Sequence, residues 1–298
     1  MPKAPMPEPE TWTLLRLVRW TTGYFQEYAI ESARSEAEIL LAHCLGMRRI
    51  DLYLNHDQPL TEAELATFKT LIKRRVSREP LAYITGCREF WSLPLVVGPS
   101  VLIPRPETEC LVEAVLPVLD DPNGQPKRVL DLGTGSGAIT IALAHEHPEH
   151  RYVAMDRSPS ALRIARQNAR THRVDHCIQW FCGDWDAALA DRGDGLDLIV
   201  SNPPYICSGD MAALQPEIHL HEPVSALDGG EDGLLSLRRI IVSAHDYLRP
   251  GGLLALEMGC NQADAVRSIA DDVGCYVSVR VIKDYSGLDR VAVMARSA

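Results

Sequence analysis

Arg128-Val129-Leu130-Asp131-Leu132-Gly133-Thr134-Gly135-Ser136-Gly137-Ala138 decides the fold of this chain. Its first five residues read as a buried strand, and a helix is predicted from Ala138 to Ala144. The three glycines between them let the backbone turn tightly and approach a ligand with no Cβ in the way. Such a strand–loop–helix opens a doubly wound α/β domain. The alternation continues downstream. Strands are predicted over Arg151 to Asp156, Ile178 to Cys182, Asp197 to Ser201 and Gly252 to Glu257. Helices are predicted over Ser160 to Thr171, Leu234 to Leu248 and Gln262 to Asp271. Val277 to Ile282 and Val291 to Met294 read as a closing antiparallel pair. The pattern predicts a mostly parallel sheet covered on both faces.

Upstream the pattern is helical. Ser35-Glu36-Ala37-Glu38 and Thr61-Glu62-Ala63-Glu64 both match a capping box ahead of an apolar periodic run. Phe90 to Gly98 is β-rich with turn residues and predicts a hairpin whose Pro94 belongs on an edge. Three segments follow: a helical domain over 1–85, a hairpin linker over 86–104 and the α/β domain over 105–298.

The net charge of −10 lies entirely beyond residue 95. Residues 1–95 carry 12 basic and 12 acidic side chains, and residues 96–298 carry 18 and 28. A broad cationic face able to displace counterions from phosphates is therefore not expected, and no stable nucleic-acid partner with it. No apolar run reaches the roughly 18–20 residues needed to cross a bilayer, and the Pro-rich start lacks the apolar core of a secretory signal. The eight cysteines form no C-x-x-C pair, so reduced thiols without a structural metal are expected. These features predict a cytoplasmic protein.

The glycine loop admits several ligands. A P-loop needs a Lys after Gly137, which is Ala138 here. A dinucleotide fingerprint fits loosely through Gly133, Gly135 and Ala138. S-adenosylmethionine, which has no pyrophosphate, fits the acids. Asp131 could meet its ammonium group, directly or through water. Asp156, ending the next strand, could accept from both ribose hydroxyls. Asp184 could meet the adenine amino group, with Trp185 beside the ring. Carboxylates at successive strand ends converge on one switch-point crevice, so a plain strand-end acid explains Asp156 alone better than it explains the set.

Asn202-Pro203-Pro204-Tyr205 follows the fourth predicted strand, at that same edge. Two prolines stiffen the backbone so that the Asn202 side-chain oxygen and the Pro203 carbonyl can accept both hydrogens of one NH2 group. An amide nitrogen has its lone pair delocalised. Holding both N–H bonds aims that pair at an electrophile without a strong base. Tyr205 can pack against the planar substrate and attract cationic character.

These residues resemble a class I S-adenosylmethionine-dependent methyltransferase, and more narrowly the HemK/PrmC family of release factor glutamine N5-methyltransferases. The resemblance rests on Pro80 to Gly86, Phe90-Trp91, Val101 to Glu109 (Val-Leu-Ile-Pro-Arg-Pro-Glu-Thr-Glu), Asp131 to Gly137, Asn202 to Tyr205, Glu222-Pro223, Ala226 to Leu234 and Glu257-Met258-Gly259. It covers nearly the whole chain from about Ala33. It departs at Met258, where Ile is usual, and at Cys87. The resemblance implies a Rossmann-like α/β fold with a seven-stranded sheet. It implies cofactor binding by Gly133, Thr134, Gly135, Ser136, Gly137, Asp156, Trp185 and Asn202. Asn202 to Tyr205 would hold the glutamine of a release factor's Gly-Gly-Gln loop. The helical domain would then choose the partner, the chain acting as a monomer. Ribosomal-protein glutamine methylation and DNA or RNA amino-methylation use the same tetrapeptide and stay open here.

Other candidates are weaker. His145 to His150 resembles a metal cluster but fits a solvated helix end. His219 and His221 lie after the tetrapeptide. Glu107 and Glu109 could reach the cofactor or simply favour a helix N-terminus. Lys69, Lys73, Arg74, Arg75 and Arg78 form a basic run that reads as a solvated face or a docking surface.

Overall fold

The computed structural model of the chain describes residues 11–120, 124–184 and 195–298. The chain divides into two compact units, Met1–Gly86 and Cys87–Ala298. Among the described residues, no helix is long and apolar enough to cross a membrane.

The first unit is helical: α1 (Leu14–Glu27), α2 (Ala33–Leu45), α3 (Asp51–Leu54), α4 (Glu62–Val76) and α5 (Leu81–Thr85). Leu14, Leu17, Phe25, Leu40, Leu41 and Phe68 form its buried centre. The Thr61 capping box is present, with Thr61 N donating to Glu64 Oε2 at 2.7 Å and Glu64 N to Thr61 Oγ1 at 3.3 Å. The box expected at Ser35 is absent because α2 starts earlier, at Ala33. Its would-be partner Glu38 is buried instead, held by Arg49 (2.6 Å), Arg34 (3.1 Å) and Tyr53. The basic run is not one face either. Arg75 is buried against Glu36, Arg74 pairs with Glu79, and Arg78 donates to Tyr28 O at 2.6 Å, while Lys69 and Lys73 are exposed.

The second unit begins with an antiparallel hairpin, β1 (Cys87–Phe90) and β2 (Leu93–Val96). Trp91 and Ser92 both have positive φ, the geometry that matches a two-residue turn to the strand twist. Phe90 and Leu95 bury into the α/β core, so by packing the hairpin belongs to this unit. A 3-10 turn, Pro106–Thr108, leads into α6 (Glu109–Leu119). The elements that follow are β3 (Arg128–Leu132), α7 (Ala138–Glu146), β4 (Arg151–Asp156), α8 (Pro159–Thr171), β5 (Ile178–Cys182), β6 (Leu196–Ser201), α9 (Pro216–His221), α10 (Leu235–Ala244), β7 (Leu248–Glu257), α11 (Ala263–Val273), β8 (Tyr276–Lys283) and β9 (Asp289–Arg296).

The seven-stranded sheet has the order β5-β4-β3-β6-β7-β9-β8, parallel from β5 to β7, with β9 antiparallel to both β7 and β8. Side chains alternate between two cores. Val129, Leu198, Val200 and Ala255 face one, and Leu130, Ile199, Leu254 and Leu256 the other. This is why the strands read as unbroken apolar runs. The chain winds outward through β4 and β5, then crosses back to place β6 beside β3. That reversal opens a crevice at the strands' carboxyl ends. The register fixes its floor: Leu132 pairs with Met155 and with Ser201, whose Oγ donates to Leu132 O at 2.6 Å.

Several strands run beyond their predicted ranges, and β7 does so at the expense of a predicted helix. Leu248 continues the helical spacing of Ile240, Ile241 and Ala244, yet it is buried as the first residue of β7. The strand passes Pro250-Gly251-Gly252 with a register shift opposite Leu196 and Leu198. An added Cβ at Gly252 would stand 2.7 Å from Leu196 O, so only glycine permits this approach.

Candidate active site

The glycine loop sits on the end of β4. Gly133 N and Thr134 N both donate to Met155 O, at 2.9 and 2.8 Å. Gly137 caps α7 at φ +84°, and an added Cβ there would lie 2.8 Å from Ile141 Cδ1 and 3.2 Å from Ala165 Cβ. Glycine is therefore required both for the turn and for the approach of α8. Asn168, buried on α8, donates to Ser136 O (2.9 Å) and Val96 O (3.0 Å) and accepts from Val96 N (2.7 Å), tying loop and hairpin together. Asp156 braces the loop from the next strand: Oδ2 accepts from Gly135 N at 2.9 Å and Oδ1 from Ser158 N at 2.8 Å.

Asp131 is buried at the end of β3. Its Oδ2 accepts from Thr134 Oγ1 (2.7 Å) and Thr140 Oγ1 (2.6 Å), while Oδ1 is buried with no partner. Burial pushes its pKa up to about 6, against the two hydroxyl hydrogen bonds.

A cavity of about 900 Å³ opens over these strand ends. Gly133, Thr134, Gly135, Ser136, Asp156, Asp184, Asn202 and Pro204 line it. Asp131 and Gly137 lie outside that lining, in the support behind the loop. Asp184 is ion-paired with Arg239 at 3.0 Å, a partner the sequence did not suggest. Trp185 lies outside the described residues.

A second cavity of about 250 Å³ adjoins, lined among others by Arg105, Glu107, Pro203, Tyr205, Glu257 and Arg290. Asn202 lines both. The tetrapeptide is held from several sides. Asn202 Nδ2 donates to Thr108 Oγ1 at 3.1 Å, and Thr108 Oγ1 donates to Glu257 Oε2 at 2.6 Å. Tyr205 Oη donates to Glu257 Oε1 at 3.1 Å and lies 3.4 Å from Arg290 Nη1. Glu257 is 1% exposed, and burial raises its pKa; Tyr205 is raised as well, by burial and by Glu257. Gln262 Nε2 donates to Tyr205 O (3.0 Å) and Gly233 O (3.2 Å). Gly229 and Gly233 let the 226–233 loop close on the tetrapeptide: an added Cβ at Gly233 would stand 2.5 Å from Tyr205 O.

Gln262 and Arg290 carry no local signal, and Thr108 is marked only as part of the Val101–Glu109 resemblance, because their contacts to the tetrapeptide are made across the fold. Of the two open glutamates, Glu109 accepts from Trp91 N at 2.8 Å, and Glu107 lines the second cavity. Buried Glu222 accepts from Ile103 N (3.1 Å) and Arg105 Nη2 (2.6 Å), fastening that segment to the end of α9. His219 and His221 line neither cavity. His147, Glu149 and His150 do converge, but both His150 ring nitrogens are taken. Nε2 bonds Leu119 O at 2.8 Å, and Nδ1 accepts from Lys127 N at 3.3 Å.

A doubly wound sheet, a glycine loop after its first strand and Asn-Pro-Pro-Tyr at the switch point together define a class I methyltransferase fold. Two solved structures share it: a methyltransferase from Pyrococcus furiosus (TM-score 0.51, 19% identity, 69% of this chain and 89% of that one) and the hMettl16 catalytic domain (TM-score 0.56, 17% identity, 74% and 81%). A family described as the PrmC N-terminal domain matches residues 16–86, and one described as the methyltransferase small domain matches residues 108–219. The release factor glutamine methyltransferase of Geobacter sulfurreducens is 44% identical over 95% of this chain and 97% of its own length. That of Escherichia coli K12 is 42% identical over 90% and 94%. The chain belongs to the release factor glutamine methyltransferase family.

Proposed function

We propose that this chain transfers a methyl group from S-adenosylmethionine to N5 of the glutamine in the Gly-Gly-Gln loop of peptide chain release factors. The observation that carries this reading is the position of Asn202, on the wall common to a large cavity and a small one. The large cavity suits the cofactor. It has room for a nucleoside and an amino-acid tail, with carboxylates at the ends of successive strands. The partnerless buried Oδ1 of Asp131, next to the loop, suits a nearby cation. When bound, S-adenosylmethionine supplies a methyl group on a sulfonium that a nucleophile can attack.

The chain's own residues do the rest. Asn202 and the Pro203 carbonyl accept the two hydrogens of the substrate amide, turning its lone pair toward the large cavity. Tyr205, held by Glu257, bounds the small cavity in which the planar side chain lies. The nitrogen keeps both protons while its new bond to carbon forms and sheds one afterwards to water, so orientation and fixed dipoles, rather than a strong base, supply the catalysis. The helical unit over 1–85, net neutral and matched by its own family domain, is assigned the choice of release factor.

Incubation with tritiated cofactor and purified release factor, ribosomal protein or duplex DNA tests the reading. Label on the release factor alone, with one added methyl on the loop glutamine by mass spectrometry, is expected. Label on the ribosomal protein or the DNA instead would sink it.

A further inference from the structure

We propose that Thr108 and Glu257 are positioning residues that set which way the Asn202 amide faces. The inference rests on the amide-accepting role assigned to Asn202 above. The argument is one of hydrogen-bond polarity. An ionised carboxylate only accepts, so Glu257 takes the Tyr205 hydroxyl hydrogen on Oε1 and the Thr108 hydroxyl hydrogen on Oε2. Thr108 has a single hydroxyl hydrogen, and at 2.6 Å it is committed to Glu257. Toward Asn202, Thr108 Oγ1 can therefore offer only a lone pair, and it meets Nδ2 at 3.1 Å. Reversing the amide would bring two acceptors face to face at Thr108, a residue only 3% exposed. Asn202 Nδ2 is thus kept on the Thr108 side, and Oδ1 is left as the acceptor for a substrate amide. An asparagine presenting its NH2 there would repel the N–H bonds it has to hold.

The device is assembled from three distant segments: the turn before α6, the end of β6 and the end of β7. Burial pushes the Glu257 pKa up, and the Thr108 hydroxyl, the Arg290 guanidinium and the Tyr205 hydroxyl pull it back toward the charged form. One carboxylate steadies both ends of the tetrapeptide, Tyr205 directly and Asn202 through a hydroxyl.

Thr108→Val keeps the shape and removes the hydroxyl, Thr108→Ser keeps the hydroxyl, and Glu257→Gln keeps the shape but can donate as well as accept. In the full chain, Thr108→Val and Glu257→Gln are expected to lower kcat by about ten- to a hundredfold. Affinity for S-adenosylhomocysteine and KM for the release factor should stay within about threefold, and Thr108→Ser should recover activity to within about threefold. A readout free of substrate accompanies these: hydrogen exchange of the Asn202 side-chain NH2, followed by NMR in asparagine-labelled protein. Exchange should be slow in the unmutated chain and in Thr108→Ser, and at least about tenfold faster in Thr108→Val. Equal exchange in all three, or equal loss of kcat in Thr108→Val and Thr108→Ser, would overturn the proposal. If the unmutated chain transfers no methyl to a release factor yet the exchange pattern holds, the functional reading falls and the amide lock stands.

Discussion

Asp131 carries the clearest electrostatic consequence at the scale of single residues. Its carboxyl is held near a pKa of about 6 against an ordinary 3.8 because it is buried. Between those values the folded chain keeps a proton that the unfolded chain has released. Stability is therefore greatest below about 3.8, falls as pH rises toward about 6 and is level above it, a span on the order of 3 kcal/mol for this group. A cationic ligand beside Asp131 favours its charged form. Binding of S-adenosylhomocysteine, with its ammonium group, is then expected to release a proton near pH 5.5 and to tighten as pH rises from about 5 to about 7. Calorimetry in two buffers of different ionisation heat measures this. Asp131→Asn should remove the proton release, and an unchanged release in that variant would refute the assignment. Asn202→Ala makes the complementary prediction: turnover is lost while cofactor affinity stays within about tenfold, ~1.4 kcal/mol. If affinity and turnover fall together, Asn202 is a cofactor residue rather than the substrate's acceptor.

At the scale of elements, the tetrapeptide depends on a loop that follows it by some two dozen residues. Gly233 has φ +72° and would place a Cβ 2.5 Å from Tyr205 O, whereas Gly251 has φ +76° and open space around it. Alanine at Gly251 should cost only the backbone strain, about 1 kcal/mol. Alanine at Gly233 should cost roughly 2–4 kcal/mol, since backbone must also shift, and should lower kcat by moving Tyr205. Urea unfolding midpoints and initial rates on both variants compare them; equal midpoints would mean the loop yields without cost. The same contrast separates what was legible in the sequence from what was not. β4 and β5 match their predicted ranges residue for residue, because each is a short β-rich run bounded by turn residues. The glycine loop and Asn202–Tyr205 were legible for a related reason: each packs its chemistry into a few consecutive residues. The start of α2 was misread because Glu38, seemingly a cap partner, answers to Arg49 and Tyr53 elsewhere in the unit. Thr108 and Gln262 could not be assigned roles, since those roles exist only once β6 and β7 lie side by side. Thr108 and Glu257, although both within stretches of the family resemblance, reach the tetrapeptide only through the same pairing.

The whole molecule is described by its charge. All of the net −10 falls within residues 96–298, which hold both cavities and the sheet edge around them. Two features favour that sign: carboxylates at strand ends suit a cation, and a neutral amide substrate needs no cationic partner. A phosphate backbone would need the reverse, because each phosphate contact draws on a Lys or Arg and releases a counterion. The basic run from Lys69 to Arg78 does not compensate, since Arg74, Arg75 and Arg78 are engaged within the helical unit. The full chain is therefore expected to bind duplex DNA or RNA no better than about 0.1 mM at physiological salt, the weak end of non-specific binding. Fluorescence anisotropy with a labelled duplex across a salt series measures it. A dissociation constant near 1 µM that weakens steeply with salt would revive nucleic-acid amino-methylation. Flat anisotropy, in a preparation that labels a release factor, would leave the protein amide as the acceptor that fits both the charge and the tetrapeptide.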